Sequence, residues 1–161
     1  MKIAEGGLND PRVAKLLRLH VTRARAETAP GSAHALDLSG LTAPDIRFWT
    51  AWMDDEATGC VAMKNLGGGH GEIKSMYTAE AARGRGVASA LLLRLMEDAR
   101  RAGITRLSLE TGSWPYFRPA VALYRRHGFA ECGPFEGYRE DPNSIFMTLA
   151  LQRSEVQWDS Q

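Results

Sequence analysis

A strand–turn–helix unit in the middle of the chain constrains its fold most strongly. Polar and apolar side chains alternate over residues 72–78, which predicts a half-buried β-strand. Residues 87–102 carry apolar side chains at helical spacing and are followed by Gly103, so they predict an amphipathic α-helix. Between the two lies a turn that contains Gly84 and Gly86. A strand that leads through a turn into a helix is typical of a sheet that is covered by helices.

The glycine turn has the composition of an anion site. A helix N-terminus presents backbone N–H groups without intrahelical acceptors and a partial positive charge. Gly84 and Gly86 have no Cβ that would obstruct a phosphate group, and Arg83 and Arg85 add positive charge. The turn matches neither the Rossmann pattern nor the Walker pattern. A loop with solvated arginines is the alternative interpretation.

Other segments add strands and helices to this unit. A helix is predicted to start at residues 9–11, where a capping side chain precedes a proline, and residues 33–41 favour at most a short helix. We predict further strands at 46–53, 60–66, 105–111, 129–132 and 144–151, and a helix between Pro119 and Gly128. A single α/β domain is therefore expected over residues 1–151, followed by a frayed tail at 152–161.

The composition excludes several kinds of partner. Among 161 residues, 20 basic side chains face 19 acidic ones, whereas nucleic-acid binders usually carry a basic excess. No segment is long and apolar enough to span a bilayer, so we expect neither nucleic acid nor membrane as a partner. Cys60 and Cys132 lack the spacing of a zinc site, which predicts reduced thiols and no metal. Because the start of the chain lacks a signal-peptide core, we expect a cytoplasmic protein.

Two motifs in the second half of the chain occur in the order found in one known superfamily. The pattern Arg/Gln-x-x-Gly-x-Gly/Ala is matched by Arg83, Gly86 and Ala88. The pattern Ala-x-x-Leu-Tyr-x-x-x-Gly-Phe is matched by residues 120–129. From about residue 46 to residue 150, the chain resembles the GNAT N-acetyltransferase superfamily.

The resemblance implies a fold and a cosubstrate. The fold would be a GNAT-type α/β (α+β) arrangement, in which helices flank a mixed, mostly antiparallel twisted sheet. Its two central parallel strands, residues 72–78 and 105–111, would splay apart. Acetyl-CoA would lie with its pantetheine arm along the first of these strands and its pyrophosphate on the amides of the glycine turn. The implied cofactor-binding residues are Met76, Tyr77, Thr78, Arg83, Gly84, Arg85, Gly86, Val87, Ala88 and Ser89.

The resemblance also suggests catalytic residues. Tyr124 would face the thioester sulfur and donate a proton to the departing thiolate; the alternative is a core tyrosine on an amphipathic helix. Glu72 and Glu110 compete as the base, because Glu72 precedes the glycine turn and Glu110 ends the neighbouring parallel strand. Glu72 could instead be a solvent-facing strand residue, and Glu110 could bind the amine or a structural partner. His70 and His127 are weaker candidates.

The predicted function is transfer of an acetyl group from acetyl-CoA to a primary amine of a small molecule or amino acid by direct attack. The alternatives are a non-catalytic acyl-CoA sensor, a protein N-acetyltransferase, and a nucleotide- or phosphate-binding enzyme of another α/β class. A homodimer is compatible with the family. The acceptor pocket is expected between the N-terminal helices and residues 133–143. Aromatic and acidic candidates for its lining are Trp49, Trp52, Trp114, Tyr116, Phe117, Phe135, Tyr138, Glu136, Glu140 and Asp141.

Overall fold

The computed structural model describes residues 1–32, 34, 36 and 38–152. The strands are β1 (Lys2–Glu5), β2 (Ile46–Met53), β3 (Glu56–Gly67), β4 (His70–Thr78), β5 (Arg106–Gly112), β6 (Ala130–Cys132) and β7 (Ser144–Ala150). The helices are α1 (Pro11–Ala26), α2 (Leu38–Leu41), α3 (Val87–Arg101) and α4 (Arg118–Arg126), with single 3₁₀ turns at Glu80–Ala82 and Pro115–Phe117. Most of the tail predicted to fray, residues 153–161, lies outside the described residues.

The strands form one sheet in the order β1-β2-β3-β4-β5-β7-β6. Every neighbouring pair is antiparallel except β4 and β5, which run parallel from the His70–Arg106 pair to the Ile73–Leu109 pair. Beyond these positions β4 remains paired with β3 and β5 remains paired with β7, so the two parallel strands separate. The prediction of a mixed, mostly antiparallel sheet with two splayed parallel strands is confirmed.

A β-bulge in β4 accompanies this separation. Cys60 pairs with Tyr77 but Ala62 pairs with Lys74, so one extra residue is inserted in β4. Ser75 lies within the bulge and has a φ of 55°, in the left-handed region that a non-glycine residue seldom adopts. Because a bulge bends its strand and increases the local twist, it turns the end of β4 away from β5.

The helices cover both faces of the sheet. On one face, α3 and α4 pack onto the central strands through a continuous apolar cluster that includes Leu91, Leu95 and Leu107. On the other face, α1 and α2 bury a second cluster around Leu16 and Phe48. Along the described part of the chain, no helix combines the length and apolar character needed to cross a membrane.

The N-terminal part of the fold both agrees with and departs from the predictions. Helix α1 begins where the capping pattern predicts, because the Asp10 side chain accepts a hydrogen bond from the Arg12 amide. Strand β1 was not predicted, since its four residues at the sheet edge bury little and show no clear alternation. Strand β3 begins earlier than the strand predicted at 60–66, because Glu56 already pairs with Met53 of β2. The first residues of β3 pair with β2 near the solvent-exposed end of the hairpin. Their polar side chains do not indicate a strand in the sequence.

Gly59 permits helix α3 to pack closely on β3. A Cβ at this position would lie 2.7 Å from Val87 Cγ1 and 3.0 Å from Leu91 Cδ1. We therefore expect Gly59→Ala to lower the free energy of unfolding by about 1–3 kcal/mol, the usual effect of overpacking a core. Urea denaturation would measure the change. Gly133→Ala is the matched control, because a Cβ there would meet nothing within 4 Å; an equal loss in both variants would contradict the packing explanation.

Candidate active site

A cleft of about 500 Å³ opens where β4 and β5 separate. Its walls come from the end of β4, the start of α3, the end of β5, helix α4 and the C-terminal part of α1. The predicted site residues that line the cleft are Glu72, Met76, Tyr77, Thr78, Arg83, Gly84, Gly86, Val87, Ala88, Ser89, Glu110 and Tyr124. Among the predicted site residues, only Arg85 is not part of the lining, and its side chain is exposed.

Both glycines of the glycine turn adopt the left-handed conformation. Gly84 and Gly86 have φ values of 80° and 79°, and a Cβ at either position would meet no atom within 4 Å. The left-handed conformation, rather than lack of space, therefore explains the need for glycine here. Gly86 is the N-cap residue of α3 without a side-chain cap, so the first N–H groups of this helix are left for an external acceptor.

Ser89, in the first turn of α3, is held by a histidine. Its Oγ lies 2.9 Å from Nε2 of His127, which follows the last residue of α4. If Ser89 is to donate to a phosphate oxygen, His127 must donate its Nε2 proton to Ser89, because one hydroxyl has a single proton. Arg126, beside this histidine, also lines the cleft. In that arrangement His127 would orient Ser89 and would not be a general base.

Tyr124 projects from the buried face of α4 and is only 4% exposed. Its ring packs against Phe129 with the centroids 5.6 Å apart. Burial raises the pKa of the Tyr124 hydroxyl, so the phenol stays protonated at neutral pH. In the part of the chain that the structure describes, no side chain hydrogen-bonds to this hydroxyl. A neutral phenol in the cleft can donate a proton or a hydrogen bond, but it does not serve as a base.

Glu72 is engaged in a closed hydrogen-bonding group. Lys74 Nζ donates to Glu72 Oε2 at 3.1 Å and to Tyr138 Oη at 3.0 Å, and Tyr138 Oη donates to the same Glu72 oxygen at 2.6 Å. We call this arrangement the Glu72–Lys74–Tyr138 triangle. Glu72 is 4% exposed, so the alternative of a solvent-facing strand residue is wrong. Both donors act on the same oxygen of Glu72, so this carboxylate is already engaged by side chains of the protein.

Glu110 is the less constrained carboxylate. It lies at the end of β5 and lines the same cleft. Burial raises the pKa of the Glu110 carboxyl. The nearby Ser144 hydroxyl and the charges of His34 and Lys74 partly oppose this effect. A partly buried carboxyl with a raised pKa in a cleft is a candidate for a general base.

Helix α1 and the segment after β5 meet beside the cleft. The Arg23 guanidinium lies 4.9 Å from the centroid of the Tyr116 ring, and the Arg83 guanidinium lies 5.9 Å from it. His20 packs against Tyr77 with the ring centroids 5.2 Å apart, and burial lowers the pKa of His20 to about 4. Beside the Tyr116 ring, this region therefore combines two guanidinium groups with a neutral imidazole at His20.

The loop after β6 contacts Ser32 and His34 beside the cleft. Ser32 Oγ donates to Asp141 Oδ2 at 2.6 Å, and the rings of His34 and Tyr138 are 5.0 Å apart. Asp141 is not part of the cleft lining, and its hydrogen bond with Ser32 joins this loop to the N-terminal part of the chain. The same hydrogen bond helps to lower the pKa of Asp141. The acceptor pocket between the N-terminal helices and residues 133–143 stays a prediction.

Only some of the proposed lining residues are found at the cleft. Tyr116, Phe117 and Tyr138 line it, whereas Trp49 is fully buried in the core and donates its Nε1 proton to Asp98 at 2.9 Å. The others, outside the cleft lining, are Trp52, Trp114, Phe135, Glu136, Glu140 and Asp141. Lys74 lines the cleft but was not predicted as a site residue, although its alternation with Glu72 on the predicted strand places both side chains on one face.

Comparison with known proteins identifies the family. The model of the acetyltransferase (GNAT) family matches residues 14–129, which is most of the chain. This protein belongs to the GNAT acetyltransferase family. It is 46% identical over 151 residues to the uncharacterized N-acetyltransferase YsnE of Bacillus subtilis, covering 94% of this chain and 100% of that protein. It is 45% identical over 121 residues to IAA acetyltransferase of Azospirillum brasilense, covering 74% and 78%.

A solved structure extends the agreement to the fold of this GNAT acetyltransferase. A Klebsiella pneumoniae protein assigned as an acyl-CoA N-acyltransferase superposes with a TM-score of 0.78 at 29% identity, and the match covers 94% of this chain and 97% of that one. The chain is therefore an acyltransferase of the N-acetyltransferase type. The roles of its individual cleft residues remain predictions.

Proposed function

We propose that this GNAT acetyltransferase moves an acetyl group from acetyl-CoA to the primary amine of a small molecule or amino acid by direct attack. The observation that supports this proposal is one cleft that is lined both by the glycine turn before α3 and by Glu110. Tyr124 lines the same cleft. Direct attack is favoured because, among the described residues that line the cleft, there is no cysteine to form an acyl intermediate.

The residues at the glycine turn fit the phosphates of CoA. Gly84 and Gly86 leave open space in front of the α3 N-terminus, and Arg83 and Arg126 add positive charge at the cleft. The unpaired edge of β4 beyond Ile73 offers backbone groups to an extended pantetheine arm, since β5 no longer pairs there. The assignment of the Klebsiella relative as an acyl-CoA N-acyltransferase supports the same cosubstrate.

The proposed acid–base roles follow from the hydrogen-bonding state of each group. Glu110 accepts the proton that the amine must lose, because Glu72 is already occupied within the Glu72–Lys74–Tyr138 triangle. Tyr124 donates a proton to the CoA sulfur as the thioester bond breaks. The thioester supplies the activated acyl carbon, and the amine nitrogen forms the new amide bond. The net reaction releases the thiol form of CoA.

A small acceptor suits the shape of the cleft better than a protein segment. The hydrogen bond from Ser32 to Asp141 and the contact between His34 and Tyr138 join two segments near Glu110, which leaves little room there for an extended polypeptide. The name IAA acetyltransferase, carried by the Azospirillum relative, is consistent with a small acceptor. An open groove for an extended polypeptide would require these two segments to move.

A thiol-release screen tests the proposed function. Purified protein with acetyl-CoA is offered a panel of amines, amino acids and a lysine-containing peptide, and free CoA thiol is measured. We expect acceptor-dependent release with at least one small amine. Binding of CoA without release for any acceptor would favour the non-catalytic sensor instead. Release with the peptide alone would favour a protein N-acetyltransferase.

Replacing Gly86 with valine should weaken CoA binding. The substituted side chain would have to adopt a φ near 79°, and it would point toward the space offered to phosphate. We expect the dissociation constant for CoA, measured by calorimetry, to rise on the order of 10- to 100-fold, as for the loss of one or two charge-assisted hydrogen bonds.

Gly68→Val provides a matched control for this variant. Gly68 has a φ of 63°, a Cβ at this position would also meet no atom within 4 Å, and the residue does not line the cleft. Both variants should lose stability through backbone strain of about 1–2 kcal/mol. Only Gly86→Val should lose CoA affinity, and equal affinities for the two variants would contradict the pyrophosphate site.

A further inference from the structure

We infer that the acceptor of this enzyme carries a carboxylate close to the reacting amine, and that Lys74 binds this carboxylate. The inference rests on the proposed function and adds to it the chemical class of the acceptor. An amino acid in which few bonds separate the amine from the carboxylate satisfies it, whereas a simple alkyl amine does not.

Lys74 has a donor left over for a ligand. Its side chain is 11% exposed, and its ammonium group donates to Glu72 and to Tyr138. An ammonium group has three N–H donors, and among the described residues these two oxygens are its hydrogen-bond acceptors. Since Lys74 lines the cleft, the third donor is available to a molecule that lies there. A carboxylate oxygen is the acceptor that forms the strongest hydrogen bond with such a group.

The Glu72–Lys74–Tyr138 triangle holds this cation in place. The Lys74 nitrogen also lies 5.7 Å from the centroid of the Tyr138 ring, so the side chain is restrained from several directions. A restrained ammonium loses little conformational freedom when it binds a ligand. The same triangle explains why a lysine can remain in a largely buried position, because Glu72 provides the opposite charge.

Lys74 and Glu110 occupy corresponding positions on the two splayed strands. Glu72 pairs with Ser108, and Lys74 and Glu110 each follow two residues later on their strands. Side chains two residues apart lie on the same face of a strand, so both groups lie on one face of the sheet. Parallel strands are about 4.8 Å apart where they pair, and the separation begins just before these two residues. A ligand that contacts both side chains therefore needs its cationic and anionic groups close together.

The charges at this end of the cleft favour a zwitterion. The charged groups that act on Glu110 are His34, Lys74 and Glu72, and of these Glu72 and Lys74 offset each other. A bare alkyl ammonium would approach Glu110 but leave the third Lys74 donor without an acceptor. A diamine would place its second cation beside Lys74, where like charges repel. An amino acid offers an ammonium group to Glu110 and a carboxylate to Lys74.

The test compares acceptors that differ only in the carboxylate. For each amino acid that supports thiol release, kcat/KM is measured with the free acid, with the amide and with the decarboxylated amine. In the native enzyme we expect kcat/KM for the free acid to exceed the values for the amide and for the decarboxylated amine by about 10- to 100-fold, as for one charge-assisted hydrogen bond. Equal values for the three acceptors would overturn the inference while leaving the proposed function intact. Absence of thiol release with every amine would instead contradict the proposed function itself, and this inference with it.

The variant Lys74→Met separates recognition from structural support. If Lys74 binds the substrate carboxylate, kcat/KM for the free acid falls about 10- to 100-fold and the preference over the amide disappears. If Lys74 only positions Glu72, the values for the acid and the amide fall by the same factor, which would overturn the inference. Lys74→Arg should restore part of the preference by keeping the charge. Lys15→Met makes the same change at a position of α1 outside the cleft and should keep the native preference.

Discussion

Replacing Glu110 with glutamine should lower kcat about 10²- to 10⁴-fold, the contribution typical of a general base. Glutamine keeps nearly the same shape but cannot accept a proton from the amine. Because Glu110 lies in the cleft lining and its neighbours are retained, CoA affinity should change little. Steady-state thiol release and calorimetric titration with CoA would measure the two quantities separately.

The pH dependence gives a second readout for Glu110. Burial raises the pKa of its carboxyl, so the side chain is neutral below that pKa and unable to act as a base. In the native enzyme kcat/KM should therefore rise with pH through the raised pKa and then level off. Glu110→Gln should lose this acidic limb. A variant that keeps the native limb would show that another group, with Glu72 as the first choice, is the base.

Two further variants complete this test. Glu72→Gln should disturb the Glu72–Lys74–Tyr138 triangle and weaken acceptor binding, so its main effect should be on KM. Glu56→Gln changes an exposed glutamate at the start of β3 and should leave the kinetics unchanged. A larger loss of kcat in Glu72→Gln than in Glu110→Gln would reverse the proposed roles of the two carboxylates.

Removing the Tyr124 hydroxyl should have the other large effect. Tyr124→Phe keeps the aromatic ring in its packed position against Phe129, so stability and CoA affinity should be preserved. The departing thiolate would lose its proton donor, and we expect kcat to fall about 10²- to 10³-fold. Single-turnover release of thiol would measure this chemical step directly.

The leaving group provides the control for Tyr124→Phe. A thioester of a more acidic thiol depends less on protonation, because a thiolate of lower pKa leaves more readily. The difference between the native enzyme and Tyr124→Phe should therefore shrink with such a thioester. Unchanged turnover with acetyl-CoA itself would count against the acid role.

The parts of the fold that could be predicted from the sequence have a local origin. Three such features depend on residues that are close together in the sequence: the alternation in β4, the glycines at positions 84 and 86, and the apolar stripe of α3. The second motif located Tyr124 on a helix whose buried face it shares with Val121 and Leu123. These features suffice to place the cleft on the correct strands.

The contacts that define the acceptor end could not be predicted in the same way. Tyr138 lies 66 residues from Glu72 and 64 residues from Lys74, and no periodicity connects them. Ser32 and Asp141, which join two loops, are 109 residues apart. The proposed choice of Glu110 over Glu72 as the base depends on the contacts of Tyr138 and Lys74, because these two side chains already occupy Glu72.

The separation of β4 and β5 also affects the mechanics of the whole molecule. The sheet consists of two halves, β1–β4 and β5–β7, which are joined along the strands by four residue pairs. An extended molecule bound between β4 and β5, where the two strands no longer pair, would bridge them and link the two halves of the sheet. Ligand binding should then slow amide hydrogen exchange in both halves at once, in addition to the effect at the contact residues.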